Sequence, residues 1–60
     1  MDASQIDDVA QRFYRAHGDK AEYEAAQKAK ECEERGVTDE AEIWRSVRER
    51  IRIIRGPNAS

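Results

Sequence analysis

The sequence predicts an all-α protein, a compact three-helix bundle with short turns and helices at roughly 5–17, 20–35 and 39–55. Three observations carry that reading. Apolar residues recur at spacings of three and four, the mark of amphipathic helices. Gly18 and Gly36, and Gly56 ahead of Pro57, interrupt the pattern at helical lengths. Acidic or hydroxyl residues stand beside the predicted starts, where helix N-termini favour them. No alternating strand pattern, internal repeat or low-complexity stretch competes. The predicted organisation is a single domain over 1–55 and a disordered C-terminal tail over 56–60.

The first helix is expected to begin after Ser4. "SQID" places Asp7 three residues beyond that serine in a capping-box-like arrangement, and Asp7 and Asp8 suit the positive end of the helix dipole. Ile6, Val9, Ala10, Phe13 and Ala16 or His17 form its apolar stripe, and Gly18 ends it. In the second helix "DKAE" offers Asp19 as N-cap with Glu22 three positions on. Its inner face is a ridge of small residues, Ala21, Ala25 and Ala29 followed by Cys32, which permits close approach of a neighbour. Gly36 stops it, with Val37 placed for the apolar contact of a Schellman cap. The third helix is expected to take Thr38 or Asp39 as N-cap. Ile43, Trp44, Val47, Ile51 and Ile54 form its stripe, and Gly56-Pro57 ends it. One-to-three-residue connections suit antiparallel neighbours, with the first helix lying across a tighter pair made by the other two.

Composition narrows the function. At 60 residues, with 38% hydrophobic and 40% charged residues and no leucine, the chain has few large anchors. They are Ile6, Val9, Phe13, Trp44, Val47, Ile51 and Ile54, and so short a chain buries only about 60% of its unfolded surface. Either the packing is efficient or a second copy or a partner adds to the core, and self-association is the expectation. The net charge of −2 argues against a general nucleic-acid coat. A single cysteine excludes an internal disulfide framework. No apolar run approaches the ~20 residues that span a bilayer. With an acidic, polar start unlike a signal peptide, the expected location is cytoplasmic, with no membrane contact.

The framework of His17-Gly18, Ala21, Ala25, Ala29, Gly36, Trp44, Val47 and Ile51 resembles a family of short alphaproteobacterial helical proteins classed as a domain of unknown function. The resemblance covers roughly Ile6 to Ile54. The final helix departs from it, carrying arginine and isoleucine where that family has more alanine and leucine. The resemblance implies a bacterial, cytoplasmic protein and no particular activity.

No enzyme, metal or cofactor signature is found in the sequence. A Cys–His nucleophile pair needs hydrogen-bond reach, yet His17 ends the first helix and Cys32 lies near the far end of the second. One histidine and one cysteine cannot build a structural zinc site. The carboxylates of "DKAEYE" and "ECEE" lack the alternation and turn glycine of a calcium loop. Cys32 is expected as a small buried residue, with redox control a remote option.

The charged residues of "WRSVRERIRIIRG" pose the sharper question. Arg45, Arg48, Arg52 and Arg55 fall at helical spacing, and with Arg50 they face the single Glu49 of that segment. They can complement the helix dipole, meet the acidic end of another copy's second helix, or grip nucleic-acid phosphates. A helix-turn-helix reading fits poorly, because Asp39, Glu40 and Glu42 occupy the end that would meet base edges. Two further surfaces are candidates: a Tyr14/Tyr23 patch flanking His17–Gly18, and Ile53 with Ile54 at the end of the third helix. The expectation is a non-enzymatic protein acting as a homodimer or adaptor. Weak, sequence-tolerant nucleic-acid binding through the arginine stripe is the disfavoured alternative.

Overall fold

In a computed structural model, residues 3–56 are described, with side chains from Ser4 onward. Helix α1 spans Ala3–His17, a 3-10 turn spans Gly18–Lys20, α2 spans Ala21–Arg35 and α3 spans Thr38–Arg55. No strand occurs among the described residues. The junction between α1 and α2 is itself helical. The described chain therefore comprises two unbroken helical stretches, 3–35 and 38–55, where the sequence predicts three helices separated by turns. The all-α class stands, and the first junction is a bend in helical backbone. The tail expected beyond Gly56 lies outside the described residues.

Glycine sets the two bends. Gly18 (φ 63°) and Gly36 (φ 80°) take the left-handed conformation that costs a side-chain-bearing residue ~1–2 kcal/mol. At the second bend the Val37 N–H donates to the Cys32 carbonyl (2.9 Å) and the Gly36 N–H to the Glu33 carbonyl (3.1 Å). Together these form the Schellman motif that the sequence predicts.

The side-chain caps predicted for the second and third helices do not form, and Ser4 lies inside α1, so that Asp7 and Asp8 fall beyond its first turn. Lys20 and Val37 occupy the positions before α2 and α3, and neither start carries a side-chain cap hydrogen bond. The physical reason is competition. Asp7 accepts from the Gln11 amide (2.9 Å) and pairs with Arg50 (3.3 Å), Asp8 pairs with Arg12 (3.4 Å), and Glu22 is held by α3 arginines.

Helices α2 and α3 form an antiparallel hairpin, since the start of α2 meets the end of α3 and the end of α2 meets its start. The small-residue ridge makes this close. Ala21, Ala25 and Ala29 are buried on α2, with Ala41, Val47 and Ile51 opposite on α3. Among the described residues only Val47 and Ile51 are large and fully buried. Helix α1 lies across the hairpin, as expected. Phe13 meets Trp44 in the first half of α3, with Val9 lining a pocket beside Ile43, whereas Asp7 meets Arg50 in its second half, and Tyr14 and Ile54 border a shared cleft. Two stripes of one helix thus reach both halves of another. Ala10 is buried at the crossing, with Ile6, Val9, Phe13, Tyr14, Ile43 and Trp44 half-buried around it.

Two expectations for the apolar stripes change as a result. Ile54 is 36% exposed, because it rims a cleft beside the Gly18 bend that α1 does not fill. Ala16 and His17 are exposed rather than inward, and Ala10 takes the inner position of α1.

Candidate interaction surface

Arg45, Arg50, Arg52 and Arg55 of α3 face acids of their own chain, while Arg48 acts on Glu22 through its charge alone. Both oxygens of Glu22 are engaged: Oε2 accepts from Arg52 Nε (3.2 Å) and Nη2 (3.1 Å), and Oε1 accepts from Arg55 Nη1 (3.1 Å). At the other end of the hairpin, Arg45 pairs with Glu33. Arg52 also meets Glu49 one turn earlier on α3 (3.6 Å), and Arg50 reaches across to Asp7 on α1. Two pairs thus fix the hairpin's register at its two ends. Glu22 and Glu33 are the partners the sequence reading does not assign; the signal for them is the antiparallel fold itself, which lays the acidic start of α2 beside the basic end of α3.

The cluster perturbs one ionisation. The hydrogen bond from Arg52 holds the Glu22 carboxyl below its ordinary value; partial burial opposes this, and the charges of Arg52, Arg55 and Arg48 add to the lowering. The sign follows from linkage. A depressed carboxylate contributes stability that is present above the unfolded-state pKa and is lost as pH falls through the folded-state one. Glu22→Gln is therefore expected to cost about 1 kcal/mol at pH 7, between the values of exposed pairs and charge-assisted hydrogen bonds. Urea denaturation across pH measures this, and the gap between the two proteins should close below the ordinary glutamate range.

The apolar candidates lie on either side of α1. Ile53 is 65% exposed and shares a shallow concavity with Ile6, Ser46, Glu49 and Arg50. Ile54 and Tyr14 border the cleft beside Gly18. Tyr14 is half-buried against the core, while Tyr23 is exposed and does not border that cleft. The structure therefore groups Tyr14 with Ile54. Trp44 is half-buried, edge-on to Phe13 (ring centroids 5.4 Å apart) and covered by the Lys28 ammonium at 5.4 Å from its ring.

His17 stacks on Phe13 at 4.0 Å between ring centroids, and the Cys32 thiol lies 3.9 Å from a Glu40 oxygen. The two serve different ends of α2, roughly 16 Å apart by helical rise from Ala21. Among the described residues no group of three or more His, Cys, Asp or Glu side chains is placed to hold a metal ion. No helix is long and apolar enough to cross a membrane. Compared with known proteins, the chain matches no family model, no curated protein and no solved structure.

Proposed function

We propose that this chain is a small non-enzymatic domain that acts through protein–protein contact, as a homodimer or an adaptor, in the bacterial cytoplasmic setting its resemblance implies. The domain works as three helical bodies, with α1 a body of its own because Gly18 turns it across the α2–α3 hairpin. One observation carries the reading. Ile53 stays 65% exposed on one side of α1, although among the described residues the only large fully buried side chains are Val47 and Ile51. A protein with so few large apolar residues gains most by covering Ile53, the more exposed of the two isoleucines that α1 leaves uncovered. Charged neighbours Glu49 and Arg50 border Ile53, as a polar rim borders an apolar contact.

The test is Ile53→Glu. Sedimentation of the wild type at high micromolar concentration is expected to give a mass above the monomer. A charge placed in the apolar contact should weaken that association by roughly tenfold or more, with helix content unchanged. A strictly monomeric wild type at that concentration removes the homodimer form and leaves the adaptor. The alternative, weak nucleic-acid binding through Arg45, Arg48, Arg52 and Arg55, has less support. Glu33 already engages Arg45, and Glu22 engages Arg52 and Arg55, so phosphate contact would have to displace those pairs. Absence of DNA and RNA binding at low salt, where the phosphate attraction is strongest, would end that alternative.

A further inference from the structure

Among the described residues, left-handed backbone occurs at Gly18, Gly36 and Gly56 alone. At the α1–α2 junction, Gly18 is the one departure from right-handed helix. His17 (φ −106°, ψ −15°), Lys20 (φ −86°, ψ −4°) and Ala21 (φ −58°, ψ −44°) are already in that region. The α2–α3 junction differs, because Val37 (φ −92°, ψ 78°) is non-helical in addition to Gly36. Rotation at a single residue therefore separates the bent chain from one continuous helix over 3–35, on the order of 50 Å long.

We infer that α1 is exchanged between two copies of the chain: Gly18 straightens, and the α1 of each copy seats on the α2–α3 hairpin of the other. The incoming helix is chemically identical to the one it replaces. Ala10 regains its burial, Phe13 regains Trp44 and Asp7 regains Arg50, all across the two copies. Such an interface is self-complementary and closes about a two-fold axis. Helix α1 suits the part. Among its described side chains Ala10 alone is fully buried, and exchange of one element through a short hinge is a low-cost route to a dimer. This association does not use Ile53, and so goes beyond the contact proposed above.

Gly18→Ala tests it. A Cβ at residue 18 meets nothing within 4 Å, so the substitution acts through the backbone alone. Alanine resists the left-handed bend and favours continuous helix, which should shift the equilibrium toward exchange by roughly 30- to 100-fold per chain. Gly18→Asn, which tolerates left-handed backbone, should behave as the wild type. Sedimentation reads the mass, and a short bismaleimide cross-link between Asp7→Cys and Arg50→Cys, in a Cys32→Ser background, reads the connection. In Gly18→Ala the cross-link should join two chains, migrating as a dimer on a denaturing gel; in the bent monomer it closes within one. A Gly18→Ala protein that stays monomeric and melts earlier overturns the exchange. So does one that unfolds, since the exchanged dimer would have kept the native contacts. A dimer whose cross-link closes within single chains also overturns it. If Ile53→Glu dissolves that dimer, the association belongs to the α3 face instead.

Discussion

Ile51→Ala is expected to remove about 2–5 kcal/mol of folding free energy, the range for truncating a buried isoleucine whose surroundings collapse only in part. Ile51 is fully buried in the cluster formed by Ala10, Ala21, Ala25 and Val47. Its neighbours are mostly alanines, which have no side-chain length to swing into a void. A core of this size rarely supplies more than about 3–5 kcal/mol in total, so the variant should be largely unfolded at 25 °C. Loss of the helical circular-dichroism signal and of a cooperative urea transition would show it. Ile54→Ala makes the same change three residues later, at a position 36% exposed, and should cost about 1 kcal/mol or less. Equal losses at the two positions would mean that Ile54 shares the core after all.

Ala25→Leu is expected to be the next most damaging change, at about 1–3 kcal/mol or more, although it adds apolar surface. Ala25 is fully buried at the middle of the α2 ridge, where the absence of a longer side chain lets the other helices come close. Leucine there has to push α1 or α3 outward. In a domain with so few large buried side chains, that separation exposes Val47 and Ile51 as well. Each kcal/mol corresponds to roughly 4–8 °C in Tm for a domain of this size, so thermal unfolding resolves the effect. Ala16→Leu, the same substitution on the exposed face of α1, should change stability by no more than about 0.5 kcal/mol. A stabilised Ala25→Leu would mean that the interior holds unfilled space.

The features legible in the sequence are local ones. Gly18, Gly36 and Gly56 mark the helix ends because a left-handed terminus demands a residue without Cβ, a requirement that involves no distant partner. The ridge of Ala21, Ala25 and Ala29 is legible from spacing alone, and its burial follows. Exposure of Ile53 follows from its position off the line of Val47 and Ile51. The features that were not legible depend on residues far apart in the chain. Glu22 looks like one half of a capping box with Asp19, yet its carboxylate goes to Arg52 and Arg55, more than a full helix away in sequence. The two arginines offer Glu22 three N–H donors, where a capping box offers it a single backbone N–H. Ala41 is buried among acidic neighbours, where its small size gives no periodic signal. Ile54 was expected in the core because periodicity fixes the face of a helix but not the angle at which another helix crosses it.

The crossing of α1 has a functional corollary. By lying across α3, α1 covers the middle of that helix and leaves Ile53 and Ile54 on either side of itself, each beside a different part of α1. Tyr14 therefore belongs with Ile54 as one contact region, while Ile6 belongs with Ile53. Of the α3 arginines, Arg45 and Arg50 border the Ile53 region, and each is paired within the chain, to Glu33 and Asp7.

Arg45, Arg52 and Arg55 fasten α3 to α2 within the chain. A double-mutant cycle on Glu22 and Arg52 tests it most directly, using Glu22→Gln, Arg52→Gln and the pair together, followed by urea denaturation at pH 7 and moderate salt. The account predicts that the two single losses overlap, with a coupling energy of about 0.5–1.5 kcal/mol that vanishes at acid pH as Glu22 becomes protonated. Strictly additive losses at every pH would contradict it, and would return those arginines to the solvent-facing surface as groups awaiting a partner.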